Sequence, residues 1–275
     1  VRLVRKLLPD MVLGMVVHEA RPLVEQPGQD GLYKESALTN RALAGGFADL
    51  DVAYVLGESS KQILTETWPI TAPVHLIPHG DEGIFTGTEI PDVEETGPCA
   101  LAFGTITAYK GVDTLLDAWS AVRARVPDAE LVIAGSMSAD IDKAAFRAQV
   151  ASLEGVTLHE GYVPVDDVST YFAQARCLAL PYKRSSQSGV AHLAYTFRRP
   201  VVATRVGDIP TVVVDGVSGL LVNPDSPDEL ADAVVQLLRD PELAQRMGKA
   251  GAQAMSTGAS WDEVAARVRA GLPAS

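Results

Sequence analysis

The chain has 275 residues, 47% of them hydrophobic and 21% charged, and a formal charge of −12. That length suits two small α/β units or one large one, and the composition excludes collagen, coiled coil and wholesale disorder. The acidic balance disfavours nucleic acid, no apolar run approaches the roughly 18 residues of a membrane span, and two cysteines, Cys99 and Cys177, make no disulfide framework and suit a reducing, cytoplasmic setting.

The chain opens at Val1 without an initiator Met, and Val1–Leu8 has the pattern of the basic end of a helix stopped by Pro9-Asp10. Short β-branched runs then alternate with helical periodicity, the mark of a parallel sheet covered on both faces. Strands are predicted at Met11–Val17, Val52–Leu56 and Val74–Ile77, with helices around Ser36–Ala44 and Ser59–Glu66. Asp81–Pro98, acidic and marked by Gly and Pro, has the composition of a linker. Beyond it come strands at Ala100–Phe103, Leu131–Ala134, Val156–Leu158, Cys177–Leu180, Val201–Thr204 and Gly219–Val222. Helices are predicted from Val112 to Val126, Ile141 to Leu153, Val168 to Ala175 and Gly189 to Phe197. Ser226-Pro227-Asp228-Glu229 has the form of a capping box, with Ser as cap and Glu three residues later, ahead of an apolar face through Leu230, Val234, Leu237 and Leu238.

Four clusters fall just after predicted strands, where such a sheet presents residues to a ligand. His18-Glu19 follows the first strand; HExxH is absent, and His18 could equally be a hydrogen-bonded core residue. Gly104-Thr105 through Lys110-Gly111 combines close backbone approach, hydroxyls and one cation, although it is neither GxGxxG nor a P-loop. Lys183, Arg184, Gln187, Ser188 and Gly189 precede a helix start, a place suited to a pyrophosphate, with solvated cations as the plainer reading. In the fourth, Gly207 permits close approach, while Asp208 would repel a phosphate and better suits a sugar hydroxyl or water. No Cys or His spacing suggests a metal.

The strings FGTITAYKGVDTLLDAW, PDAELVIAG, GYVPVDDVSTYFAQARCLALPY, SSQSGVAHLAYTFRRPVVATRVGDIP and VVVDGVSGLLVNPDSPDELADAV together resemble the family 4 retaining glycosyltransferases, from about Ala100 to Gly248 and more weakly back to His18. The resemblance implies a GT-B fold of two Rossmann-like domains. The acceptor-side domain, 1–96, would be incomplete and lack the family's glycine-rich loop. The nucleotide-sugar-binding domain would span 97–258, and 259–275 would form a helix and tail crossing back to the first domain. It implies transfer of a hexose-type sugar from a nucleotide-sugar donor to a hydroxyl acceptor (a sugar, lipid-linked or small molecule), without a metal or other cofactor. Peripheral membrane association stays open, and the short chain is expected to transfer poorly by itself. Lys110 and the Gln187-Ser188-Gly189 helix start would take the donor phosphates, Gly207-Asp208 would lie by the sugar or diphosphate, and His18 would bond the transferred sugar. Thr105 and Thr107 stand where the family commonly has an Arg, and Leu193 or Ala194 and Thr211 where it has Glu; Lys183 or Arg184 would then supply the missing cation. The alternative is a non-catalytic nucleotide-sugar-binding or assembly protein of the same fold.

Overall fold

The computed structural model describes residues 2–8, 10–18, 37–80, 82, 97–185 and 187–273. Most of the predicted 81–98 linker, together with Glu19, Ser36 and Ser186, lies outside them.

A first sheet is formed by β1 (Gly14–Val17), β2 (Val52–Val55) and β3 (Val74–Leu76), parallel and in chain order. It is preceded by α1 (Arg2–Leu7) and connected through α2 (Ala37–Ala48) and α3 (Glu58–Thr67). Leu50, Ala53, Val55 and Leu64 form its core.

The second sheet is built from β4 (Cys99–Phe103), β5 (Glu130–Gly135), β6 (Val156–Glu160), β7 (Cys177–Leu180), β8 (Val201–Thr204) and β9 (Gly219–Val222). The intervening helices are α4 (Val112–Arg125), α5 (Lys143–Ser152), α6 (Val165–Gln174), α7 (Gly189–Thr196) and the short α8 (Ile209–Val212). Its spatial order is β6-β5-β4-β7-β8-β9, all parallel. The chain therefore builds outward from β4 through β5 and β6, then returns to β4's other side. That is the doubly wound order of a Rossmann fold, with its switch point between β4 and β7. One face buries Leu115, Trp119, Val122, Leu131 and Ile133 together with Leu230 and Val234 of α9 (Pro227–Arg239). The other packs Phe172, Leu178, Leu180, Tyr195 and Val201.

Two chain-terminal helices complete the molecule: α10 (Pro241–Gly258), packed on α7 and α9, and α11 (Trp261–Gly271). α11 returns to the first sheet, where Val264 joins Val52, Tyr54 and Ile77, and the Tyr54 hydroxyl donates to the Val268 carbonyl at 2.7 Å. The capping box predicted at Ser226 does not form. Ser226 occupies the cap position of α9 without a side-chain bond to the helix, and Glu229 instead accepts from the Asn223 backbone and side-chain nitrogens, each at 2.9 Å. The carboxylate takes its two donors from Asn223 on the β9–α9 connection, and the Ser226 side chain adds a smaller contribution to its lowered pKa. α6 begins three residues before its predicted start, at Val165, because Pro164 takes the cap position and Asp166 and Asp167 favour the first turn. No helix among the described residues is long and apolar enough to cross a membrane.

Candidate functional site

At the switch point, the loops leaving β4 and β7 are clamped together. The Lys183 amide donates to the Tyr109 carbonyl at 2.8 Å. Gly111 has φ +64, and a Cβ there would stand 2.0 Å from the Pro181 carbonyl oxygen, so the position tolerates only glycine on both grounds. The Lys183 ammonium lies 2.7 Å from Asp113 and 3.8 Å from Asp225. Partial burial lowers its pKa, but the hydrogen bond to Asp113 and the surrounding carboxylates outweigh that and hold it above the usual lysine value. Lys183 thus fastens the loop through Asp113 and Asp225.

Lys110 is in the opposite condition. It ends the short 3₁₀ turn Ala108–Lys110, and burial pulls its amine down to about 8. No carboxylate among the described residues pairs with it; its nearest electrostatic relief is the Tyr182 ring, 5.9 Å away. A Cβ built on Gly104 would be 3.4 Å from Lys110 Nζ and 3.7 Å from Val190 Cγ2, so the amine borders the first turn of α7. That turn starts at buried Ser188, whose Oγ accepts from the Ala191 amide at 3.3 Å and lies 3.2 Å from the Tyr182 hydroxyl. The amides of Gly189 and Val190 have no partner among the described residues and face the positive end of the helix dipole. A half-buried cation thus lies near a helix start with two free amides, with the Glu82 carboxylate oxygen 3.6 Å from a Cβ built on Gly189. Thr105 is exposed, the Thr107 hydroxyl is buried without a partner, and Arg184 and Gln187 are half-buried on the same loop.

The first sheet closes over this turn. His79, just past β3, stacks on His192 of α7 with ring centroids 4.7 Å apart, and His18, at the end of β1, stands edge-on to His79 at 6.4 Å. His192 is buried and bonded through Nδ1 to the Ser188 carbonyl; burial, with His79 alongside, pushes its pKa down to about 4, so it is neutral. The structure therefore brings His18 and the Gln187-Ser188-Gly189 start together through His79, a residue that sequence reasoning did not single out. Gly207 has φ +51, and Asp208 is 4% exposed. Asp208 Oδ1 accepts from the Ser59 amide at 3.0 Å, capping α3 of the other sheet, and its buried Oδ2 has no partner among the described residues. A cleft of about 240 Å³ opens between the sheets, bordered by Leu56, His79, Gln187, His192, Asp208 and Thr211. Leu193 and Ala194 are buried in the second core. Among the described residues no group of three His, Cys, Asp or Glu is placed to hold a metal ion.

The family model for glycosyl transferases group 1 matches residues 97–240, more than half of the chain. The chain belongs to that family. It is 33% identical over 153 residues to an alpha-D-kanosaminyltransferase of Streptomyces kanamyceticus, covering 55% of this chain and 39% of that protein. It is also 33% identical over 180 residues to a GDP-mannose-dependent alpha-(1-6)-phosphatidylinositol monomannoside mannosyltransferase of Mycobacterium tuberculosis, covering 62% and 46% of the two lengths. This group 1 chain spans less than half the length of either relative. Among solved structures, HepE of Anabaena, crystallised with UDP and glucose, superposes with a TM-score of 0.77 at 14% identity over 97% of this chain and 73% of its own. Sucrose-phosphate synthase of Thermosynechococcus elongatus gives 0.73 at 21% identity over 96% and 68%. These likenesses establish the GT-B fold.

Proposed function

We propose that this group 1 chain carries the donor site of a retaining glycosyltransferase of the family 4 type, which moves a hexose-type sugar from a nucleotide-sugar donor to a hydroxyl acceptor in the cytoplasm. The observation that carries the reading is Lys110: a half-buried cation whose pKa desolvation lowers, unpaired with any described carboxylate, near the turn that opens α7. Such an arrangement destabilises the empty protein and is relieved by an anion, so a diphosphate is the ligand it fits. The same contacts strengthen as charge grows on a departing diphosphate, which is where electrostatic stabilisation contributes most to transfer. The relatives agree with this choice, one named as GDP-mannose-dependent and one solved structure holding UDP and glucose.

In this reading the donor's phosphates lie on residues of 97–258, and the sugar projects into the interdomain cleft toward His18 and the acceptor side, 1–96. The 259–275 helix and tail tie the two. Front-face transfer then lets the leaving phosphate oxygen take the acceptor's proton, and no metal is called for.

Calorimetry with UDP, GDP, ADP and dTDP tests it. At least one should bind, with affinity unchanged by EDTA, and Lys110→Ala should weaken it by about 1–3 kcal/mol, the order for losing a charged hydrogen-bonding partner. Binding that vanishes with EDTA, or that ignores Lys110→Ala, would refute the assignment. Retention is checked by NMR of the anomeric centre in the product.

A further inference from the structure

A cavity of about 220 Å³ lies between the loops that leave β4 and β5 and the first turns of α4 and α5. Ile106, Val112 and Phe146, which wall it, belong to the core shared with α9, whereas Val190 and Leu193 of α7 belong to the core on the opposite face of the sheet. Two polar groups on its wall are unmet. Thr107 is 5% exposed, and its Oγ1 has no hydrogen-bond partner among the described residues. Asp140 Oδ2 accepts at 3.1 Å from the amide of Ala108, the residue after Thr107, but Asp140 Oδ1 is buried without a partner. A buried hydroxyl and a buried carboxylate oxygen are both unfavourable until something bonds them.

The charges that border the cavity are already matched. Asp113, in the first turn of α4, holds the Lys183 ammonium at 2.7 Å. Asp142 caps α5, its Oδ1 accepting from the Ala144 and Ala145 amides at 3.1 and 3.0 Å. An anion here would meet three carboxylates, and a cation would meet Lys183 and the positive ends of two helices. The wall therefore calls for hydrogen bonds without charge. We infer that this cavity binds a small neutral polyol, of the monosaccharide or cyclitol class. One ligand hydroxyl donates to Asp140 Oδ1, another exchanges a hydrogen bond with Thr107 Oγ1, and the C–H face of the ring lies against Ile106, Ile141 and Phe146. Carboxylate oxygens accept from any hydroxyl, and a threonine hydroxyl both donates and accepts, so neutral hydroxyls satisfy both groups. Water would satisfy the two oxygens yet leave the apolar wall wet, whereas a single ring covers both. The volume falls short of the roughly 300 Å³ at which drug-sized pockets begin, which suits one ring and not a longer saccharide.

The inference does not depend on the donor-site reading. Glucose, mannose and myo-inositol are titrated into the isotopically labelled full chain, and backbone amide shifts are followed by NMR. At least one should saturate, with the largest shifts at Thr107, Ala108 and the first turn of α5. Asp140→Asn, which keeps an acceptor for the Ala108 amide and turns the other oxygen into a donor, should weaken binding by about tenfold or more. Thr107→Val, of the same shape without the hydroxyl, should weaken it similarly without lowering the melting temperature, since no described partner of that hydroxyl is lost. Ala145→Phe, at an exposed position of α5 on the cavity's border, should abolish binding by filling the space while leaving both polar groups in place. The inference is overturned if none of these polyols binds, or if ethanolamine or inorganic phosphate shifts the Thr107 and Ala108 amides and they do not. Saturation with the shifts confined to α7 and His79 would move the sugar to the interdomain cleft and overturn it as well. So would wild-type affinity in both Asp140→Asn and Thr107→Val.

Discussion

Asp208 and Gly57 form a contact between the two sheets whose energetics can be isolated. α3 has no cap of its own: Gly57 occupies the cap position without a side chain, and the Ser59 amide is satisfied by Asp208 Oδ1 at 3.0 Å. A carboxylate at a helix N-terminus bonds an orphan amide and complements the dipole, together worth about 1–2 kcal/mol. Asp208→Ala should destabilise the association of α3 with the second domain by that amount. Gly57→Ala should do so by a similar amount for a different reason. Its φ of −168 is ordinary extended backbone, but its new Cβ would stand 2.0 Å from Asp208 Oδ2 and 2.4 Å from Cγ, so the carboxylate must leave.

Both single changes break one bond, and the double variant cannot break it twice. Gly57→Ala/Asp208→Ala should therefore cost about as much as Asp208→Ala alone, giving a coupling of roughly 1–2 kcal/mol in a double-mutant cycle. Hydrogen exchange at the Ser59 amide is the direct readout, since it follows local opening without assuming that a two-domain chain unfolds in one step. Exchange should accelerate alike in both singles and in the double, and Asp208→Asn, which retains Oδ1 as an acceptor, should restore part of the protection. Single-variant effects that add to within ~0.5 kcal/mol, or Ser59 exchange that ignores Asp208→Ala, would refute the cap.

Lys110→Met should raise the melting temperature of the ligand-free protein at pH 7 while abolishing nucleoside diphosphate binding. With its amine near 8 in the folded chain against 10.5 as an ordinary lysine, the unfolded state binds more protons between those values, so wild-type stability should rise with pH across that window and that rise should be lost in the variant; denaturant titrations at pH 7, 8, 9 and 10 check it. By the same protonation, diphosphate affinity should fall as pH rises through about 8, measured by calorimetry. Arg199→Met should destabilise the second domain by about 2–4 kcal/mol in urea unfolding, because the buried guanidinium donates to the Phe172 and Ala173 carbonyls near the end of α6, at 2.7 and 2.6 Å, and its loss strands both.

Features set by neighbouring residues were legible in the sequence. β7, β8 and β9 lie where the continuous Cys177–Leu180, Val201–Thr204 and Gly219–Val222 runs place them, since a strand buried on both faces needs an unbroken apolar run and Pro or Gly punctuation ends it. The loops that carry Lys110 and Gln187-Ser188-Gly189 were placed for the same reason: each follows a strand that borders the switch point. What escaped depends on one sheet's loops meeting the other's. Asp208 and Ser59 are 149 residues apart, and no local pattern announces that a carboxylate will cap a helix in another domain. His79 lies in a short Pro-His-Gly stretch that ends a block, and its place over Gly189 emerges only in three dimensions. Ser226 is the mixed case: it takes the cap position and Pro227 starts α9 where the pattern places them, but the Glu229 side chain accepts from Asn223.

In the proposed reading, the fate of the two lysines accounts for an anion site in a chain of net charge −12. Lys183 and Lys110 leave adjacent strand ends, and either could have met a phosphate. Asp113, in the first turn of α4, and Asp225 hold Lys183, and that pairing keeps the loop after β7 against the loop after β4. The clamp lets Gly111 pass under the Pro181 carbonyl and fixes the turn that holds Lys110 half-buried. The acidic residues thus neutralise one cation, and the geometry they enforce desolvates the other. A half-buried ammonium without a carboxylate partner is relieved when a counter-charge arrives, so its selectivity for an anionic ligand is strongest where water and competing carboxylates are absent. The net acidity of the surface does not weaken this, because charges beyond about 8–10 Å are screened at physiological salt while contacts inside the cleft are not.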